Sequence, residues 1–378
     1  MERTGAGARA VIDPAGLDAM LRHLAARGYQ LIGPTVRDGA IVHAPIDGIE
    51  DLPAGWGDVQ SAGSYRLRRR GDGALFGHAV GPESARRFLT PPTRTLWSAI
   101  RTPDGFEVEV EVAAQQQPPV ALIGLRPCDL AAIAVQDRTL AGPRPDPAYV
   151  EARRRSFVVA VSCSDPASTC FCTSTGTGPT VVGGHDLALA ELLHPRHRFL
   201  VDVGTDAGAD VLEAIPHSSP SSEDLEAVAA AGDAAVAAIR RRLDPRAREL
   251  TAAMEHPRWD DVAARCLSCG SCTLVCPTCF CTSVVDTTDL AGARAARVQR
   301  WESCFALDHS FVHGGSVRVD VRSRYRQWLT HKLATWWEQF GISGCVGCGR
   351  CIAWCPAGID LTAEVAAIVQ DHQQEVDA

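Results

Sequence analysis

Two cysteine runs constrain this chain more than any other feature of it. Cys266, Cys269, Cys272 and Cys276 stand in C-L-S-C-G-S-C-T-L-V-C-P, and Cys345, Cys348, Cys351 and Cys355 stand in C-V-G-C-G-R-C-I-A-W-C-P. Three thiolates spaced C-x2-C-x2-C reach three corners of one iron–sulfur cubane from a single tight loop, and a more remote thiolate closes the fourth. Glycine after the second cysteine lets the backbone turn closely around an inorganic core, and proline after the fourth ends the loop. Zinc ribbons use two cysteine pairs rather than triplets with a fourth cysteine and proline, so the spacing selects iron–sulfur over zinc. In tandem runs of this kind the fourth cysteine of each ligates the other cluster. The expected sets are Cys266, Cys269, Cys272 and Cys355 on one 4Fe-4S cubane, and Cys345, Cys348, Cys351 and Cys276 on a second.

The 69 positions between Cys276 and Cys345 exceed what a compact ββαβ ferredoxin with short connections allows. Residues 317–337 and 361–374 read as helical at least in part, so an α-helical dicluster ferredoxin with a large insertion fits better. Crossed ligation then requires Cys276 and Cys345 to be neighbours in space.

Fifteen cysteines in 378 residues must also be reconciled with a compartment. The first fourteen residues lack an apolar signal-peptide core, and no stretch approaches the roughly 18 apolar residues of a membrane helix. A reducing cytoplasm is expected, where disulfides are rare and clustered cysteines hold metal. The formal net charge of −8 argues against non-specific binding to nucleic acid or anionic membranes. The one lysine, Lys332, stands in R-Y-R-Q-W-L-T-H-K; with no G-K-[ST] there is no phosphate-binding Walker loop.

The periodicity predicts an α+β protein: an N-terminal α/β domain, a long helix, and a C-terminal α-helical dicluster domain. Residues 17–28 repeat as a helix, 29–32 and 41–44 as short strands, and 106–112 alternate apolar and acidic residues as a strand. Residues 120–125 and 157–161 are continuous apolar runs of buried-strand type. Two helical segments, 129–140 and 146–155, lie between them, giving a β-α-α-β unit whose strands are expected to be parallel neighbours. Residues 221–250 are alanine-rich, with Ser221, Ser222, Glu223 and Asp224 supplying a cap and first-turn acids, and predict one long helix. Six of eight tryptophans and eleven of fifteen cysteines follow residue 258. The expected division is therefore 1–220, a helical connector at 221–256, and the ferredoxin-type domain at 257–378.

Seven cysteines fall outside the two runs. Cys128 and Cys163 each follow a buried strand of the β-α-α-β unit, so parallel pairing puts both at the carboxyl edge of the sheet, where open α/β folds bind ligands. Cys170 and Cys172 lie in the loop just after, in C-F-C-T-S-T-G-T-G-P. Four thiols in reach of one another suffice for a third cluster, although their spacing matches no standard ligand run. Cys279 and Cys281 repeat C-F-C-T-S, and Cys304 follows in W-E-S-C-F. At spacing two, Cys279 and Cys281 project to one face of an extended segment and either chelate metal or shield the cubanes as small buried hydrophobes.

Other residues admit two uses. Trp301, Trp328, Trp336, Trp337 and Trp354 either wrap the cubanes or fill ordinary core. Gly176, Gly178, Gly183 and Gly184 either admit a close-approaching cofactor or serve turns. The basic runs 66–70, 153–155 and 318–326 are docking faces or solvated surface. His309, His313 and His331 show no zinc spacing and are read as structural.

Taken together, S-Y-R-L-R-R-R (64–70), L-F-G-H-A-V-G (75–81), G-L-R-P-C-D-L (124–130), residues 170–179, 266–286 and 322–356 resemble the iron–sulfur β subunit of soluble sulfhydrogenase-type NiFe hydrogenases. That family is shared with the electron-transfer subunit of anaerobic sulfite reductase. The resemblance covers nearly the whole chain, and none of the eight cubane cysteines departs from it. It implies an electron-transfer subunit without terminal chemistry of its own, passing electrons between a FAD- and NAD(P)-binding partner resembling ferredoxin reductases and a NiFe module. The alternatives are the same role beside a sirohaem sulfite reductase, or a chain whose first domain binds flavin or deazaflavin. The lack of a convincing G-x-G-x-x-G weighs against a nucleotide site in this chain.

Overall fold

The buried runs at 120–125 and 157–161 form the centre of a seven-stranded sheet. In the computed structural model, which describes residues 5–110 and 118–377, the strands in chain order are β1 (Arg9–Ile12), β2 (Gln30–Arg37), β3 (Ala40–Pro45), β4 (Trp56–Ser61), β5 (Ser64–Arg69), β6 (Thr93–Thr102), β7 (Gly105–Glu109), β8 (Val120–Leu125), β9 (Phe157–Val161), β10 (Leu187–Leu192), β11 (Arg198–Val203), β12 (Thr282–Thr288) and β13 (Arg294–Trp301), with two short strands after them. The main sheet runs β1-β11-β10-β9-β8-β2-β3. Its four inner strands β10, β9, β8 and β2 are parallel, and β1, β11 and β3 are added antiparallel. β8 and β9 are the parallel neighbours expected, aligned Ala121 to Phe157 and Leu122 to Val158, with helices Pro127–Leu140 and Pro147–Arg154 between them.

Alternation along these strands splits the core into two layers. Ala121, Ile123, Phe157, Val159 and Val161 pack with Leu17, Met20, Leu21 and Leu24 of helix Pro14–Ala26 on one face. Leu122, Leu125, Val158 and Ala160 pack with Leu130, Ile133 and Tyr149 on the other. Leu122 and Leu125 share a face because the register shifts between Ile123 and Leu125. Gly124 makes that irregularity with φ +77, and a Cβ there would stand 3.0 Å from Phe76 and Pro34. The bulge re-aims the chain as it leaves the sheet toward Arg126, Pro127 and Cys128.

The expected strand at 106–112 is β7, which ends at Glu109; Glu111 and Val112 lie outside the described residues. The long helix expected over 221–250 is shorter. Ser221 caps it reciprocally with Asp224, and it spans Ser222–Ala238. Ile239 then turns extended and is buried, and Pro245 forbids helix in the residue before it, so only a 3-10 turn, Pro245–Glu249, follows.

The insertion between the cysteine runs also departs from expectation. It holds helix Val321–Thr330, a π-helical turn His331–Thr335 and helix Trp336–Phe340, but opens with the β12–β13 hairpin. This hairpin joins β6 and β7 in a second sheet, β12-β13-β6-β7, so residues 93–109 and 282–301 share one set of ladder hydrogen bonds. The C-terminal core gathers Trp259, Val262, Phe305, Tyr325, Trp328, Leu333, Ile352, Leu361 and Val365, and Phe171 enters it from the N-terminal half.

Candidate metal centres

The two cysteine runs fold into matching loops. Gly270 and Gly349, each following the second cysteine of its run, take φ +73 and +75, as a tight turn around an inorganic core requires. Two residues after the first cysteine, Ser268 and Gly347 are also left-handed, at φ 52 and 63. There the backbone N–H of Ser268 donates to Cys266 Sγ and that of Gly347 to Cys345 Sγ, each at 3.4 Å. The Ile359 N–H donates likewise to Cys355 Sγ at 3.4 Å.

Cys266, Cys269, Cys272 and Cys355 line one cavity of about 460 Å³, mouth included, together with Cys351. Its other walls are mostly apolar, among them Phe305, Tyr325, Trp328, Ile359 and Leu361. The fourth cysteine of the second run therefore sits with the first three of the first. Reciprocally, Cys276 faces Cys345, Cys348 and Cys351. Burial, and then neighbouring thiol charge including that of Cys276, pushes all three thiols up, Cys345 to about 12. Cys276 itself is held well below the usual thiol range by a hydrogen bond from Cys279 and by the Lys332 ammonium, which together outweigh burial.

These donors fit an iron–sulfur core better than a single ion. Among the described residues no three His, Cys, Asp or Glu side chains stand close enough to share one metal. Zinc draws its four ligands onto one atom, whereas cubane thiolates bind separate irons at the corners of a larger body.

The N-terminal thiols converge too. Cys128 opens the helix after β8, Cys163 follows β9, and Cys170 and Cys172 come from the next loop. Cys172 feels the charge of Cys163 and Cys348, and its thiol is pushed up to about 12, chiefly by burial. Burial raises the Cys128 and Cys170 thiols well above their ordinary range, with Cys348 and Cys172 among their charged neighbours. This group therefore abuts the second run. The Phe171 N–H donates to Gly347 O at 2.8 Å, and Thr177 Oγ1 to Val346 O at 2.7 Å. A Cβ on Gly347 would lie 2.7 Å from the Cys172 backbone. Of the four loop glycines, Gly178 alone closely approaches a thiol, its built Cβ standing 3.3 Å from Cys172 Sγ; the others serve turns.

A buried ion pair locks the two halves here. The Arg350 guanidinium donates to Asp129 Oδ1 at 2.8 Å, Gly81 O at 2.9 Å and Glu83 O at 3.2 Å, with both side chains nearly inaccessible. Nothing in the cysteine spacing announced it, although Arg350 sits inside the second run and Asp129 directly after Cys128.

The remaining candidates separate. Trp328 lines the first cavity, and Trp336 packs with Cys128, Val346 and Cys348. Trp354 stacks on Tyr65 at 5.1 Å, Trp301 lies 3.4 Å beneath the Arg86 guanidinium, and Trp337 3.5 Å beneath that of Arg248. The basic runs are largely engaged within the chain: Arg70 with Asp72 and Asp165, Arg153 with Asp137, Arg154 with Glu151, Arg322 and Arg326 with Glu255. His309 and His331 line a second cavity with Cys279, Cys281 and Cys304.

A model of the 4Fe-4S dicluster domain matches residues 265–359, the span that carries both runs. Across 252 residues, 63% of this chain and 71% of the relative, the sequence is 33% identical to the sulfhydrogenase 2 subunit beta of Pyrococcus furiosus. The chain belongs to the sulfhydrogenase beta-subunit family. Like that family it is an iron–sulfur, electron-transfer protein of the 4Fe-4S type, and its mixed helix and strand content bears out the α+β class. No helix among the described residues is long and apolar enough to cross a membrane.

Proposed function

We propose that this chain relays single electrons between a FAD- and NAD(P)-binding, ferredoxin-reductase-like partner and the catalytic module of a NiFe hydrogenase, in the reducing cytoplasm. The crossed placement of Cys355 and Cys276 carries the reading, since each run's fourth thiol stands with the other run's triplet. In this assignment Cys266, Cys269, Cys272 and Cys355 hold one cubane, and Cys345, Cys348, Cys351 and Cys276 hold the second. Cys128, Cys163, Cys170 and Cys172 hold a third, next to Cys348. The name of the similar protein, which belongs to a sulfhydrogenase, supports a hydrogenase complex as the setting.

The clusters, when bound, supply one-electron carriers with potentials set by their surroundings. The chain's own part is to place and tune them. Backbone N–H groups of Ser268, Gly347 and Ile359 donate to ligand sulfurs, which favours the more negative, reduced form. Phe305, Tyr325 and Trp328 exclude water from the first cavity. The contacts of residues 170–177 with 346–347 keep the N-terminal thiols beside the second triplet.

The test is native copurification, with hydrogen-dependent NAD(P) reduction assayed against NADH-dependent sulfite turnover. Nickel and hydrogen turnover in the complex are expected; sirohaem without nickel overturns the hydrogenase assignment in favour of sulfite reduction. A flavin spectrum in the isolated chain overturns the relay role in favour of a flavin-dependent oxidoreductase.

A further inference from the structure

Tyr325, in R-S-R-Y-R (322–326), is packed as a phenylalanine would be. Its helix, Val321–Thr330, starts at Asp320, whose Oδ1 accepts from the Ser323 N–H at 2.6 Å. Arg322 and Arg326, four positions apart, reach out to Glu255. Tyr325, Trp328 and Leu329, at the i, i+3, i+4 spacing of one helix face, are turned inward and buried. Tyr325 is 2% exposed, with its ring centroid 5.5 Å from that of Trp328 and 6.3 Å from those of Phe305 and Trp259.

The hydroxyl is what a phenylalanine would lack. Among the described residues it has no hydrogen-bond partner, although a buried hydroxyl is costly to leave unpaired. The ionisable groups that face it are Glu364, then Cys272, Cys351 and Cys266. Glu364 is engaged at both oxygens, by Arg258 Nε and Arg265 Nη2, each at 2.7 Å. The three thiols line the first cavity, and so does Tyr325. Among the residues lining it, the other side-chain hydroxyl, of Ser271, is taken up with Cys269 Sγ at 3.3 Å, so the side-chain acceptors left are sulfurs. Trp328 also keeps an unpaired indole N–H, but it walls both this cavity and the one beside Lys332. The phenol is therefore the side-chain donor that belongs to the first cavity.

We infer that Tyr325 sets the potential of the first cubane: its hydroxyl donates a hydrogen bond to a sulfur of the cluster held by Cys266, Cys269, Cys272 and Cys355, and so raises that cluster's reduction potential. Apolar walls, which dominate this cavity, disfavour the added negative charge of the reduced state. A donor to sulfur favours it, and the O–H···S bond strengthens as the electron enters. That electron comes from a one-electron donor, dithionite in vitro or a reduced flavin in a complex. The proton stays on the Tyr325 oxygen, and no covalent bond forms or breaks. The Ser268 and Ile359 N–H groups already reach two of the same ligands, Cys266 and Cys355. Unlike those backbone donors, the phenol can be removed by one substitution that keeps its ring.

This inference rests on the crossed assignment of the first cubane, and the test separates the two. The full chain and its Cys269→Ala and Tyr325→Phe variants are purified anaerobically, assayed for iron and sulfide, and titrated with dithionite under low-temperature EPR. Cys269→Ala identifies the first cluster's signal; if it loses no iron, the assignment fails and the inference with it. Tyr325→Phe is expected to hold parental iron and sulfide. At a fixed potential the reduced-to-oxidised ratio of its Cys269-dependent signal should fall about tenfold, a lowering of about 59 mV for a one-electron couple, while the other signals keep parental midpoints. The ENDOR spectrum of that signal should also lose a proton coupling that exchanges in deuterium oxide in the parent. An unmoved or raised midpoint with parental iron overturns the inference alone and leaves the hydroxyl to Glu364. A shift shared by every signal is a packing effect and overturns it too. Should Tyr325→Phe not fold, uniform 3-fluorotyrosine labelling of the parental chain decides, because a more acidic phenol donates more strongly. The Cys269-dependent midpoint should then rise, and an unmoved one overturns the inference equally.

Discussion

His43 shows how a residue distant in sequence from every cysteine reports on the seam between the two halves. It lies on β3, and burial, with the Arg350 and Arg126 guanidinium groups adding to it against Asp129, lowers its pKa to about 4. In the unfolded chain an imidazole takes up its proton near 6.5. Between those values the unfolded state binds more protons than the folded one, so stability is full above pH 6.5 and falls as pH drops toward 4. Replacing His43 by Gln should remove about 2 kcal/mol of the stability lost between pH 7 and pH 5, measured by urea unfolding at both. His78, lowered for the same reason, leaves a residual slope. A variant whose slope matches the parent would show that His43 is not held neutral at the seam.

At the scale of elements, the cysteine loops were legible because a cubane dictates both ligand spacing and glycine position, and Gly270 and Gly349 stand left-handed as that demands. The β-α-α-β unit was legible because strands buried on both faces read as unbroken apolar runs. The β12–β13 hairpin was not, since Val284 and Val285 are exposed and β13 pairs with β6, nearly two hundred positions away; local periodicity carries no such partner. The helix-favouring residues Arg240, Arg241, Arg242 and Leu243 follow Ile239 and suggest a longer helix than 222–238, but Ile239 turns extended and is buried there. Gly347 gives an element-level prediction. Its φ of +63 matches that of Gly292, which has nothing within 4 Å of a built Cβ, whereas Gly347 would place a methyl 2.7 Å from Cys172. Gly292→Ala should cost about 1 kcal/mol of backbone strain, and Gly347→Ala roughly 1–3 kcal/mol more. Thermal unfolding of the two variants measures the difference, and iron analysis of Gly347→Ala should show loss from the N-terminal thiols. Equal unfolding temperatures would mean that the loops do not meet as described.

For the whole molecule, the question is how far the iron-binding segment stands alone. The proposed boundary at residue 257 separates the cysteine runs from the main sheet, yet many contacts cross it. β13 lies against β6 along Arg294 to Ile100 and Arg300 to Thr93. The Gly63 N–H donates to Ile352 O at 3.0 Å, Arg86 holds the Cys276 carbonyl, and Arg350 reaches Gly81, Glu83 and Asp129. These contacts fall unevenly on the two cubane sites. The first cavity is lined wholly by residues between 266 and 361, while the second triplet sits under residues 128 and 170–177. A fragment of residues 257–378 should therefore keep the first cluster's EPR signal and lose the second cluster readily, since it lacks Asp129, Gly81 and Glu83, to which Arg350 is tied, and residues 170–177, which cover the second triplet. Visible absorbance followed in air provides the measurement: one phase of bleaching in the fragment should match the full chain, and the other should be several-fold faster. Arg350→Met in the full chain should fall between, because it removes the latch and leaves Asp129 the lesser unpaired charge beside the Arg126 backbone N–H. Bleaching of the fragment at the full-chain rate in both phases would show that the N-terminal sheet contributes nothing to holding the clusters.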